Sequence, residues 1–215
     1  MRMSPSNKRV LKCAWRTLAL LTLAVGLGVS FGHGRQTAPP ATPATAALLA
    51  DGSFEIAAGP QSPWYLVEQA AIVADATAPA GKHVMRFQNG TPGMTSHAKQ
   101  HIRLNGRVTP AVNVSVRVRM NDVGPGQSLS ERPAVRIRFY DEHFIPVGDE
   151  MIGPWSGTLD WTQEQARFLT PPRSRIALIT IGLHGGTGQA DFDELIMTAA
   201  DVNPSALPRG SVPAE

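Results

Sequence analysis

Thiols are nearly absent from this 215-residue chain, in which Cys13 stands alone. A disulfide framework is therefore excluded for whatever folds downstream of it. Cys13 also precedes an apolar run, whereas a lipoprotein cysteine would follow one. Charged residues, at 17%, fall below the usual quarter, and aromatic residues make up only 6%. No segment carries a sustained helical period, and no internal repeat is present. No Ser-His-Asp order, no His-Glu-x-x-His and no phosphate loop occurs. His97, His101, His143 and His184 are scattered rather than set at metal-ligand spacing. Nothing in the sequence therefore requires catalysis, and the expectation is a protein that is not an enzyme.

The net charge of +3 conceals an asymmetry. Arg2, Lys8, Arg9, Lys12, Arg16 and Arg35 fall in the first 35 residues, which hold no acid. The remainder carries fourteen cations against seventeen acids, a net near −3. Duplex nucleic acid is an unsuitable partner for such a surface. The basic start is followed by Thr17 to Phe31, fifteen uncharged and mostly apolar residues. That length matches the apolar region of an export signal and falls short of the roughly 20 residues of a spanning helix. Residues 1–32 thus read as a signal peptide. The alternative is an uncleaved membrane anchor drawing on residues 10–31. Either implies an exported protein, periplasmic or extracellular, or held at the inner membrane.

What is abundant is turn chemistry, with 20 glycines and 18 prolines. Residues 33–48, rich in Pro, Ala and Thr, read as a linker, and 201–215 as a disordered tail. The folded unit is 49–200. Inside it, short strand signals alternate with turn clusters. The expected strands are 53–57, 71–74, 82–88, 100–104, 112–120, 134–141, 163–170, 176–182 and 190–198. This spacing predicts an all-β sandwich or jelly roll. Two strands alternate cleanly. In 112–120, the valines and Met120 face one way, and Asn113, Ser115, Arg117 and Arg119 the other. In 134–141, Val135, Ile137 and Phe139 oppose Arg136, Arg138 and Tyr140. One face is core and the other wet.

Several stretches recur in a recognisable order. They are Asp51-Gly-Ser-Phe-Glu55, Trp64, Ala80-Gly-Lys-His-Val-Met-Arg-Phe87, Gln100-His-Ile-Arg-Leu104, the two alternating strands, Gly157-Thr-Leu-Asp-Trp-Thr162, and Ala190-Asp-Phe-Asp-Glu-Leu195. In that order they resemble the carbohydrate-binding modules of families 4, 9 and 22, over residues 50–198. Asp51 stands where that family usually has Asn. The resemblance implies a jelly-roll β-sandwich of two antiparallel sheets, of the galactose-binding-like class. It also implies a structural calcium shared by an acid near the start and one near the end, here Glu55 and Asp193, with the carbonyls of Ser53 and His83 as further ligands. Calcium takes 6–8 oxygens in flexible geometry. The alternative is that Glu55 pairs with a base such as Lys82 while Asp193 caps a turn.

Such modules bind glycans on one sheet face, usually lined by aromatics. Here arginines stand in their place. If the two alternating strands share a sheet, Arg117, Arg119, Arg136 and Arg138 form one surface beside Tyr140, extended by Arg103 and Arg86. Guanidinium forks suit carboxylates and sulfates, so the expected ligand is an acidic polysaccharide or oligosaccharide. The alternative is a solvated face whose arginines pair with neighbouring acids such as Asp141, Glu142 or Glu131. Trp155, in a Gly-Pro-Trp-Ser-Gly loop, is the aromatic candidate for a sugar end, and Trp64 and Trp161 read as packing residues. Two other roles stay open: an envelope protein-interaction scaffold, and a polysaccharide hydrolase or lyase.

Overall fold

The computed structural model describes residues 47–128 and 130–201. The expected signal or anchor, nearly all of the linker and all but the first residue of the tail lie outside these residues. The described chain is all β, with ten strands: β1 (Tyr65–Val67), β2 (Ala70–Ala74), β3 (His83–Asn89), β4 (His97–Arg103), β5 (Ala111–Gly124), β6 (Ala134–Tyr140), β7 (Pro146–Ile152), β8 (Gly157–Leu169), β9 (Ile176–Gly182) and β10 (Thr187–Ala200). Among the described residues no helix is long and apolar enough to cross a membrane.

The strands form two five-stranded antiparallel sheets, ordered β2-β3-β10-β5-β8 and β1-β4-β9-β6-β7. This is the jelly-roll sandwich expected. The first is called the β10 sheet below and the second the β9 sheet. Their inner faces share one core. Val112, Val114, Val116, Val118, Phe87 and Phe192 from the β10 sheet meet Val135, Ile137, Phe139, Ile179 and Ile181 from the β9 sheet. Each comes from the apolar set of a period-two pattern, so local pleating explains its burial.

A bulge in β10 decides the chemistry of its outer face. Register with β5 shifts between Asp193 and Ile196, and Glu194 adopts φ +49. Before the shift Ala190 and Phe192 point inward; after it Leu195 and Met197 do. The extra residue reverses the alternation. Asp191 and Asp193 can therefore face away from the core while Leu195 enters it. The bulge is held by the Leu195 N–H donating to the Gly52 carbonyl at 2.9 Å. A Cβ on Gly52 would lie 1.8 Å from the Leu195 carbonyl oxygen, so only glycine permits this approach.

Three strand expectations are corrected. Residues 53–57 form no strand. Asp51 and Phe54 take φ +47 and +56, and the Asp51 carboxylate accepts the N–H groups of Glu55 and Ile56, a turn that side-chain capping favours. β1 and β7 lie at the two edges of their sheet. β1 is only three residues long, too short to show a period, and β7 carries Gly148, Asp149 and Glu150 where central strands carry an apolar run.

Register also sorts the loops. Arg103 and Tyr140 both oppose Ile176, and Ala111 opposes Leu169 and Ala200. The connections 104–110, 141–145 and 170–175 therefore share one end of the sandwich. The connections 90–96, 125–133, 153–156 and 183–186 share the other.

Candidate functional site

The four arginines do not share a surface. Arg117 and Arg119 lie on β5 in the β10 sheet, and Arg136 and Arg138 on β6 in the β9 sheet. The two strands are consecutive, but the 125–133 connection crosses from one sheet to the other. Alternation shows which side chains leave the core, whereas the crossing decides into which solvent they go.

On the β10 sheet the arginines are spent on internal pairing. Asp191, 1% exposed, sits between Arg86 and Arg119, its direct neighbours in register on β3 and β5. Arg86 Nε donates to Asp191 Oδ1 at 2.7 Å, and Arg119 Nη2 to Oδ2 at 2.6 Å. Both also reach Asp75 Oδ2, at 3.0 and 2.6 Å. Hydrogen bonds from the Thr77 hydroxyl and N–H, with the Arg119 guanidinium, hold the Asp75 carboxyl well below the usual range. Arg119 Cζ lies 4.7 Å from the centroid of the Trp161 ring, a cation–π contact. Arg117 pairs with Glu194 at 3.2 Å. Arg117 and Arg119 are thus paired with acids on their own sheet, and the surface expected to join them to Arg136 and Arg138 does not form. The half-buried Trp155 packs its ring edge-on against Phe192 at 6.0 Å, against the core. Trp64, 4% exposed, packs on Phe54 at 5.4 Å.

The outer face of the β9 sheet is different. Tyr65, Lys99, Thr180, Arg136 and Met151 form one row across its five strands. His101, Leu178, Arg138 and Asp149 form the next, and Arg103, Ile176, Tyr140 and Pro146 a third. Cations from β4 and β6 thus flank an apolar strip on β9. Among the described residues only Arg138 of these is in an ion pair, with Asp149. Lys99 Nζ stands 4.8 Å from the Tyr65 ring centroid. Arg136 donates through Nη2 to the Ser130 carbonyl, and its buried Nε has no partner. Burial and neighbouring Arg138 lower the Arg136 pKa. Burial, with Lys99 and Arg136, lowers that of His97. Two depressions adjoin Arg136. One of about 500 Å³ lies toward Arg138, Asp149 and Met151, and one of about 310 Å³ toward His97, His184 and Glu131. Arg103, Arg136, Arg138 and Tyr140 of the sequence candidates are therefore brought together here. Lys99, His101 and Tyr65 were missed. The signal for the first two was present, because His97, Lys99, His101 and Arg103 recur at period two.

Glu55 and Asp193 converge on the 80–83 turn. Glu55 Oε1 accepts the N–H groups of Lys82 and His83 at 2.7 and 2.9 Å, and Oε2 lies 3.0 Å from His83 Nδ1. The backbone bond from Lys82, with the two to His83, holds the Glu55 carboxyl at about 2. Asp193 is fully buried. Its Oδ2 accepts from Ala80 N–H at 2.8 Å and its Oδ1 from Glu194 N–H. Burial, with Glu194 and Glu55 nearby, pushes its carboxyl up to about 6 against those two bonds. A buried carboxylate beside a second acid, with no ion pair among the described residues, fits a hard cation. His83 stands beside Glu55 and Glu194 beside Asp193, but among the described residues no three His, Cys, Asp or Glu side chains are grouped so as to hold a metal ion. Carbonyls such as those of Ser53 and His83 would have to complete the oxygen set.

No protein-family model and no curated protein matches the chain. Solved structures do. The enzymatically active domain of tailspike protein 4 from bacteriophage CBA120 is similar with a TM-score of 0.53, at 14% identity over 72% of this chain. The likeness spans 21% of the tailspike chain, and at that identity it is one of fold. The CBM22-1 xylan-binding domain of Xyn10C from Paenibacillus barcinonensis gives a TM-score of 0.47 at 15% identity, over 75% of this chain and 99% of that one. A family 4 carbohydrate-binding module gives 0.46 at 15%, over 69% and 97%.

Proposed function

We propose that this domain binds an acidic polysaccharide or oligosaccharide on the outer face of the β9 sheet, without turning it over. The observation that carries the reading is the contrast between the two faces. Guanidiniums on the β10 sheet are neutralised by Asp75, Asp191 and Glu194. On the β9 sheet Lys99, Arg103 and Arg136 have no carboxylate partner among the described residues and surround an apolar strip. Uronate carboxylates would take the cations, and sugar faces would lie on Leu178, Ile176 and Tyr140. The structural neighbours named for carbohydrate or xylan binding agree with a glycan ligand. The basic and apolar run at residues 8–31 agrees with action outside the cytoplasm.

Titration calorimetry with oligogalacturonate, and with xylo-oligosaccharide as the neutral control, tests this. Arg136→Ala and Lys99→Ala are each expected to weaken binding of the acidic ligand about tenfold, the scale of one charge-assisted contact. Arg138→Ala should cost less, since Asp149 already satisfies it. Stronger binding of the neutral sugar, or no effect of Arg136→Ala, would reject the reading. New reducing ends or unsaturated products would replace it with a hydrolase or lyase.

Calcium at Glu55 and Asp193 is part of the same proposal, with a structural role. Saturating calcium is expected to raise the thermal midpoint of chelator-treated protein by about 5 °C or more. A hundredfold excess over Kd contributes about 2.7 kcal/mol, and a domain of this size gains about 2–4 °C per kcal/mol. Asp193→Asn should remove the response. An unshifted midpoint for the unsubstituted protein would discard the cation.

A further inference from the structure

The sandwich end formed by connections 104–110, 141–145 and 170–175 exposes apolar side chains that nothing in the fold requires there. Val108 is 76% exposed, Phe144 67%, Ile145 54% and Leu169 54%. Phe144 holds φ +60 at the tip of the β6–β7 hairpin, a conformation that favours glycine or asparagine over a bulky aromatic. The loops that carry these side chains are braced against one another. Gly106 N–H donates to the Ser174 carbonyl, Thr170 N–H to that of Pro110, and Arg175 N–H to that of Tyr140. Asp141 is buried and its carboxylate accepts the N–H groups of His143 and Ile145 and the Arg173 guanidinium. The hairpin tip is thus held outward.

Cations outnumber acids around these tips. Arg103, Arg107, Arg173 and Arg175 lie at this end. Against them stand Asp141, already bonded to Arg173, Glu142, and Asp201 just past the end of β10. Arg173 keeps a side chain 70% exposed. The described chain also enters at this end, where Ala47 bridges Thr198 and Leu48 N–H donates to the Met197 carbonyl.

We propose that this end docks onto an anionic lipid surface, with Val108, Phe144, Ile145 and Leu169 entering the headgroup region and the arginines meeting lipid phosphates. A large apolar tip flanked by cations combines the two forces that hold proteins at a bilayer surface, apolar burial and attraction to anionic lipid. Among the described residues of the opposite end, Met94 is the one exposed large hydrophobic side chain, at 38%. The glycan face of the β9 sheet would then stand upright from the membrane, open to polymer from the side.

The test uses the full chain with Cys13→Ser, carrying an environment-sensitive fluorophore on Val108→Cys or, at the opposite end, on Met94→Cys. Phosphatidylcholine vesicles with and without phosphatidylglycerol are titrated in. The expected result is a blue shift and shielding from an aqueous quencher at position 108 with phosphatidylglycerol, and neither at position 94. This readout separates the tip from any insertion by residues 10–31, which would leave both labels in water. Adding Phe144→Asp should abolish the shift at 108. Arg103→Gln and Arg107→Gln should each raise the lipid needed for half-effect about fivefold. Equal shifts at both positions, a shift indifferent to phosphatidylglycerol, or none at 108 would overturn the proposal.

Discussion

Asp191→Ala is expected to destabilise the domain by about 3 kcal/mol or more, measured by urea unfolding at neutral pH. The carboxylate is 1% exposed and holds Arg86 and Arg119, whose side chains are 28% and 25% exposed. Removing one partner of a buried pair leaves charge that water reaches poorly, which typically costs 3–5 kcal/mol. Asp75 stays to neutralise part of it, so the lower end of that range applies. The loss also falls at a structural junction. Asp191 joins β3, β10 and β5, the three central strands of its sheet. Arg117→Ala is the control, because its pair with Glu194 is more than a third exposed on each side and such pairs contribute little. A loss below 1 kcal/mol for Asp191→Ala would mean that the network does not hold the sheet.

His184→Asn is expected to flatten the acid limb of the stability profile. The His184 ring is mostly buried, stacks on His97 at 5.9 Å and 21°, and meets the Ala134 carbonyl through Nε2 at 3.1 Å. Burial, then Arg136, with a smaller push from His97, drives its pKa down to about 3 against the pull of that carbonyl. The folded state therefore keeps it neutral while the unfolded chain takes up a proton below about 6.5. Its stabilisation is complete above pH 6.5 and is lost progressively toward pH 3. Between pH 6.5 and 4.5 that amounts to about 2–3 kcal/mol.

Asp193 runs the other way. Its folded pKa of about 6 exceeds the unfolded value, so without a cation it adds stability as pH falls from 6 toward 4. The informative quantity is therefore the difference between variant and unsubstituted protein, in which Asp193 cancels. Asparagine suits φ +51 at this position and cannot titrate. A stability difference between the two proteins that stays constant from pH 7 to 4.5 would rule out His184 as the acid-sensitive group.

Much of the candidate face was legible residue by residue. Arg136, Arg138 and Tyr140 were correctly placed away from the core, because Val135, Ile137 and Phe139 between them are apolar. Lys99 and Arg103 obey the same rule on β4. The error lay in joining Arg117 and Arg119 to them. Those two stand on an equally regular strand, and nothing in its pattern distinguishes one sheet from the other. Glu55 was expected on a strand and comes from a turn, because Asp51 supplies a side-chain acceptor that outcompetes strand pairing there.

Alternation is a local property of the pleat, so the chain by itself determined an all-β sandwich and which side chains leave its core. Sheet membership depends on pairings between residues tens of positions apart, and on the crossing at 125–133. The β10 bulge rests on a backbone contact between Gly52 and Leu195. Tertiary structure alone therefore decided that Arg86 and Arg119 are neutralised by Asp75 and Asp191, while Arg103 and Arg136 stand on the other sheet with no carboxylate partner among the described residues.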